Sequence, residues 1–279
     1  MKFADAARRF DNVRYVDAYT GSYCFTANQT KYNDSVRDSS TASRRLLNLE
    51  PGVQVPARRA VNNGDTALLI GRARTDRFFG RPVRVEHVVH EAPYLATVRT
   101  LGQECDATGG FTAYCGYTFA KLEAFEQQSS DLRALYTGYF SSNEPLVDNL
   151  IVTAAGRRFI VRGVSQGDAG FNDVTMEDLG DCLVSATVHT GTWNPLAETY
   201  GSGSTATTAL KLRWQVLNHY GHREAPRRGP DSVVLCFPSL LSSIAAGTKV
   251  TLPDGEWMVS GVEVLGGAIV CQATHHGSS

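Results

Sequence analysis

Between positions 83 and 89, Val83, Val85, His87 and Val89 share one face and Arg84, Glu86 and Val88 the other. A period of two is that of a half-buried strand. This strand closes a longer stretch, Val61–Ala92. Asn62-Asn63-Gly64 predicts a tight turn there, because Asn and Gly tolerate positive φ. Ala67–Ile70 reads as an apolar strand, and a polar connection runs from it through Asp76 and Gly80.

The same order recurs at Leu150–Leu179. Gly156 turns the chain, Phe159-Ile160-Val161 is the apolar strand, Gly163 ends it, Asp168 and Gly170 follow, and Val174-Thr175-Met176 opens the next strand. It recurs again at Lys249–Ala273, with Pro253-Asp254-Gly255, Trp257-Met258-Val259, Gly261 and the Gly266-Gly267 turn into Ala268–Cys271. The shared pattern is valine, a Gly-containing turn, two or three apolar residues, then Gly. Two readings fit: a triplicated β-unit, or chance alignment of the strand–turn–strand pairs in which any β-protein is rich.

Elsewhere, Tyr23–Thr26, Tyr94–Arg99, Leu183–His189, Leu210–Val216 and Val233–Phe237 read as strands, and Arg44–Arg59 as two short strand-like pieces around Pro51-Gly52. Leu122, Phe125, Leu132 and Leu135 fall near one helical face and predict a helix within Phe119–Tyr136. Ser239 is placed to cap a short helix, Leu240–Ala246, ended by Gly247. Phe3–Phe10 is amphipathic but too brief to stand as a helix. Asn28–Ser43 and Thr190–Thr208 are long polar stretches, read as arms. The expected fold class is mainly β, in barrel or sandwich modules with few helices. Modules are expected at 1–100, with the long polar arm, at 101–182, with the helix, and at 183–279.

At 279 residues the chain can hold two or three domains. Its 27 basic and 28 acidic residues nearly cancel, so no global field draws it to nucleic acid or membrane. No run is long enough to span a bilayer as a helix, and the N-terminus lacks the apolar core of a signal peptide, so synthesis in a cytoplasm is expected. Cysteines at 24, 105, 115, 182, 236 and 271 form no CxxC pair and are expected as reduced, buried thiols.

Chemistry is sparse. His87 and His90 lie three apart on a strand and point to opposite faces, a poor chelating pair. His219 and His222 sit among Arg223, Arg227 and Arg228, which repel a cation, and the remaining pair is His275 and His276. No metal site is expected. Cys115 and His189 lack the local context of a nucleophile pair, and no phosphate loop, dinucleotide fingerprint or nucleophile elbow occurs. No catalytic residue and no cofactor is therefore assigned. Trp214 and Trp257 read as core, and Trp193 lies in a loop. The basic residues Arg44, Arg45, Arg58, Arg59, Arg227 and Arg228 come as doublets and are candidates for phosphate or an acidic partner; solvated strand ends are the plainer explanation.

Over Arg45–Ala92 a polar arm is followed by VPARRAV, a Gly turn, ALLIG, the connection through Asp76 and Gly80, and RPVRVEHVVHEA. This rhythm resembles the neck proteins of tailed bacteriophages, the head–tail connector or head-closure (stopper) class. The resemblance implies small β-barrels with a long projecting loop, assembled as a ring between portal and tail. It implies no catalytic residues. On it the chain is expected to be a structural virion protein, made in the host cytoplasm, with no membrane contact. Its partners would be copies of itself, a portal or adaptor, a tail terminator or tube, and genomic DNA in transit. Arm residues Asn28, Lys31, Tyr32, Arg37, Thr192, Trp193 and Tyr200 would build the protein interfaces. The competing expectation is a β-sandwich hydrolase or carbohydrate-binding protein, with side chains converging on one cleft.

Overall fold

The computed structural model describes residues 13–31, 44–124, 132–167, 169–189, 191, 193, 194, 196, 199–201, 203–213, 232–239, 241 and 243–275. These form three closed barrels of six strands each. The first has β1 Val13–Asp17, β2 Tyr23–Lys31, β3 Arg44–Leu49, β4 Ala60–Asn62, β5 Ala67–Phe78 and β6 Arg81–Glu91. The second has β7 Tyr94–Arg99, β8 Phe111–Ala124, β9 Leu132–Ser141, β10 Ile151–Ala154, β11 Arg157–Gln166 and β12 Phe171–Asp178, with helix α1, Leu101–Cys105, between β7 and β8. The third has β13 Leu183–His189, β16 Ser204–Arg213, β17 Ser232–Pro238, β18 Lys249–Leu252, β19 Gly255–Leu265 and β20 Ala268–His275. A small hairpin, β14 Trp193–Asn194 with β15 Thr199–Tyr200, lies between β13 and β16.

Counting strands within each barrel, the order around all three is first, second, third, sixth, fifth, fourth. Each barrel is thus two antiparallel meanders, closed by third–sixth and first–fourth pairs, which leaves no free sheet edge. The recurring sequence stretches are the second meander of each barrel. Their alternation has one cause: Val61, Leu68 and Ile70 point into the first barrel, Val152, Phe159 and Val161 into the second, and Val250, Trp257 and Val259 into the third. Each fully buried side chain of this size contributes about 1.5–3 kcal/mol. A bulge falls just after the last fully buried inward residue of each fifth strand, at Ile70/Ala73, Val161/Gly163 and Val259/Gly261. A bulge sharpens the local bend a small barrel needs.

Several expectations change. The described parts of Phe119–Tyr136, where a helix was expected, are strand instead: β8 runs to Ala124 and β9 starts at Leu132, with residues 125–131 outside those described. Phe119 and Leu122 are more than half exposed on β8, so their spacing followed no buried face. Around 240–246 the described residues form turns, with Leu241 N–H donating to the Pro238 carbonyl and Ile244 N–H to that of Leu241. The helix found among the described residues, α1, lies at Leu101–Cys105, where no helix was expected. Thr100 and Gln103 cap it reciprocally, the Thr-x-x-Gln form of the capping box. β7, expected in the module at 1–100, is a stave of the second barrel, pairing with β8 and β10. Asn28 and Lys31, expected in an arm, are ladder residues of β2 opposite Asn48 and Arg45. Phe3–Phe10 lies outside the described residues.

Candidate assembly faces

The chain's most constructed polar geometry lies where one barrel meets the next. Between the first and second barrels, Ala60, Leu69 and Ala92 pack with Phe171, and Ala18, Tyr19, Val88, Tyr114 and Ala169 surround them. Glu144 is the polar centre of this joint, with its side chain only 4% exposed. It accepts bonds from Arg58 Nε at 3.1 Å, from Arg58 Nη2 at 3.0 Å and from the Tyr19 hydroxyl at 3.1 Å. The Arg58 guanidinium also lies 3.7 Å from the Tyr19 ring centroid and donates to the Thr112 carbonyl. Burial pushes the Tyr19 hydroxyl up to about 12. For Arg58, burial acts downward, but the bond to Glu144 and the field of Tyr19 leave its pKa raised. The Tyr114 hydroxyl donates to the Ala18 carbonyl at 3.1 Å, and His90 stacks on Tyr139 at 4.3 Å between ring centroids. At the bulge, Arg72 N–H donates to the Ala169 carbonyl at 2.7 Å. A Cβ on Gly71 would stand 2.3 Å from that carbonyl oxygen, so only glycine lets the backbones approach this closely.

The joint between the second and third barrels is drier. Leu101, Cys105, Ile151, Ile160 and Cys182 pack with Leu210, Leu212, Val234, Cys236, Ala268 and Val270. α1 slides beneath the β19–β20 turn, where Gly102 N–H donates to the Gly266 carbonyl at 3.1 Å. A Cβ on Gly102 would stand 2.0 Å from the Gly267 oxygen. Glu104, buried, is held by Arg99 at 3.1 Å and Arg158 at 2.7 Å. The Cys105 thiol donates to the Cys236 carbonyl.

The two joints use equivalent faces. The leading barrel gives its connection between first and second strands, and the outward pair of its fourth and fifth strands: Ala60 with Leu69, then Ile151 with Ile160. The following barrel receives with its second and third strands and its turn between fifth and sixth. On the two outer barrels some of the equivalent positions turn polar. Lys249 and Met258 are the outward pair on the third barrel, and Lys249 is ion-paired with Glu256. Asn48, opposite Glu86, stands on the first barrel where Tyr139 and Cys236 stand on the others.

The sequence candidates distribute accordingly. Arg58 and Arg59 both serve the first joint. Arg59 Nε donates to the Ile70 carbonyl at 2.8 Å, and burial pulls its pKa down. Arg45 bonds Gln29 at 2.9 Å and Glu91 at 2.7 Å within the first barrel. The Arg44 backbone pairs with His90 in the β3–β6 ladder. Trp193 pairs with Tyr200 across the β14–β15 hairpin. Tyr32, Arg37, Thr192, Arg227 and Arg228 lie outside the described residues. His87 is buried with Nδ1 3.2 Å from the Gly71 carbonyl, and burial lowers its pKa. Cys115 is buried in the second barrel, its thiol pushed up to about 12, while His189 bonds Thr251 in the third. Trp257 is core. Among the described residues no group of three His, Cys, Asp or Glu is placed to hold a metal. An open cavity of about 330 Å³ is lined by Val98, Arg99, Gln103, Phe111, Val147 and Leu150 among others. Sequence reasoning missed Glu144, Tyr19 and Tyr114, which are isolated polar positions without a local motif.

Comparison of the chain with family models, curated proteins and solved structures finds no match.

Proposed function

We propose that this chain is a structural virion protein of a tailed bacteriophage, a ring-forming component of the neck that joins head to tail and forms part of the DNA channel. Its work is done by shape and by contact with copies of itself and with neighbouring virion proteins. The observation that carries the reading is the repeated joint. Three barrels of one topology are stacked through unlike faces, and unlike-face contacts are the kind that generate rings and tubes. The phage assignment rests on the resemblance over Arg45–Ala92, which spans β3 to β6 of the first barrel. Size-exclusion chromatography with light scattering, followed by negative-stain microscopy, tests it. Rings of defined order are expected at micromolar concentration or on adding the neighbouring neck proteins. A strict monomer under both conditions overturns the proposal.

A further inference from the structure

We infer that the cavity walled by the end of β7, the start of β8 and the β9–β10 connection binds a small carboxylic acid, its apolar body against Val98, Phe111, Val147 and Leu150 and its carboxylate against Arg99 and Gln103. The inference is independent of the ring reading.

The cavity holds about 330 Å³, at the low end of the roughly 300–1,000 Å³ that takes small-molecule ligands. Its floor is the end of the second barrel's core. Val98 and Leu150 are buried members of that core, and Phe111 packs against it. Pro145 and Val147 are exposed on the wall. The polar side chains lining it are those of Arg99, Thr100 and Gln103.

What these side chains have to spare is donors. Gln103 Oε1 accepts the Thr100 N–H at 3.0 Å, which fixes the carboxamide's orientation and leaves its Nε2 over. Arg99 gives Nη1 to Glu104 at 3.1 Å and Nε to the Gly109 carbonyl at 3.4 Å, which leaves Nη2. Neither Gln103 Nε2 nor Arg99 Nη2 has a hydrogen-bond partner among the described residues. Charge points the same way. Arg99 and Arg158 share the single carboxylate of Glu104, and neither has another acidic partner among the described residues. One positive charge is left over at the cavity, where the Arg99 side chain keeps 24% of its surface exposed. A guanidinium and an amide nitrogen beside an apolar floor match a carboxylate on an apolar body, since a carboxylate accepts from two donors at once.

The rim is held in place before any ligand arrives. Gly109 and Gly110 have positive φ, 63° and 84°. A Cβ on Gly110 would stand 2.6 Å from Arg99 Cγ, and one on Gly109 3.0 Å from Gln103 Nε2. The glycine pair lets this turn lie against both side chains and confines them, and confined donors lose little freedom on binding. Gln103 precedes Glu104, and Pro145 follows Glu144, so the cavity lies beside residues that carry the buried carboxylates of both joints. An occupant therefore braces the second barrel where both neighbours meet it.

The test uses the full chain with octanoate as probe and octanol and octylamine as controls, read by isothermal titration calorimetry and by the shift in melting temperature. Gln103→Glu keeps the capping box, which takes Glu as well as Gln, and puts a carboxylate where the amide donor stands. Val147→Glu charges the apolar wall at a position 61% exposed. Circular dichroism establishes that both fold. Octanoate is expected to bind at one saturable site and raise the melting temperature. It should bind about tenfold or more tighter than either control, and each variant should weaken it about tenfold or more, the size of one lost bond to a charged group. Absence of saturable octanoate binding, a smaller margin over either control, or a smaller loss in either folded variant overturns the site. Should Gln103→Glu fail to fold, Val147→Glu and the two controls decide alone.

Discussion

Glu144→Ala removes the acceptor at the centre of the first joint. The carboxylate holds Arg58 by its Nε and Nη2 and accepts the Tyr19 hydroxyl. Stripping one partner from a fully buried ion pair costs about 3–5 kcal/mol, while an exposed pair contributes about 0–1 kcal/mol. The Arg58 side chain is 39% exposed and the Glu144 side chain 4%, so the pair lies between these limits. The orphaned guanidinium can still reach water and keeps its contact with the Tyr19 ring, which holds the loss near 2 kcal/mol. The Tyr19 hydroxyl loses an acceptor, for about 1 kcal/mol more. The expected loss is about 2–3 kcal/mol, or roughly a 1 M fall in urea midpoint at an m-value of about 2–3 kcal/mol/M. Tryptophans occur only at 193, 214 and 257, all within the stretch of the third barrel. Trp257 lies in that barrel's core, so its fluorescence reports on the third barrel, and far-ultraviolet circular dichroism follows all three. The dichroism transition should move down while the fluorescence transition stays near its wild-type midpoint, since the bonding partners of Glu144, Arg58 and Tyr19 lie in the first and second barrels. Glu144→Gln, which keeps shape and one acceptor, should fall between. An unchanged dichroism curve in Glu144→Ala would refute the reasoning.

Gly71→Ala should destabilise by about 1–3 kcal/mol, because its Cβ meets backbone 2.3 Å away. Gly163→Ala has nothing within 4 Å and no positive φ, and should be neutral or stabilising by a few tenths of a kcal/mol; equal thermal shifts would contradict the close-approach account. Burial raises the thiols of Cys105, Cys115 and Cys271 to about 12 and that of Cys182 to about 11, and also raises Cys236. At neutral pH a thiol reagent should reach at most Cys24 quickly and all six cysteines only in denaturant, so two or more fast thiols in the native chain would count against the packing. These groups and Tyr19 titrate higher folded than unfolded, so the stability they contribute is complete below about pH 9 and drains away as pH rises towards 12. A melting temperature that held steady over that range would contradict the burial.

The second meander of each barrel was legible because its inward residues alternate strictly and its turns carry Asn, Asp or Gly. Val61, Leu68 and Ile70 have counterparts at Val152, Phe159 and Val161, and at Val250, Trp257 and Val259, and a common fold keeps them in step. The β8–β9 region misled because Phe119 and Leu122 are apolar yet exposed, so the spacing from Leu122 to Leu135 mimicked a helical stripe. The joints were illegible for a different reason. Arg58 and Glu144 are 86 positions apart, and a doublet of arginines carries no mark of the carboxylate it will meet. Gly71 and Gly102 look like ordinary strand and loop glycines until a neighbouring barrel is placed against them.

The polarity of the two outer faces sets a rule for how such a chain can grow. Among the described residues, the middle barrel presents an apolar docking surface on both sides: Tyr139 and Phe171 towards its predecessor, Leu101 and Ile160 towards its successor. A tandem duplication of that barrel would add one unit with its new seams matched. Duplicating the first barrel would press Leu69 against Asn48, and duplicating the third would press Lys249 against Val270. Insertions of whole modules are thus favoured between the first and third barrels rather than outside them.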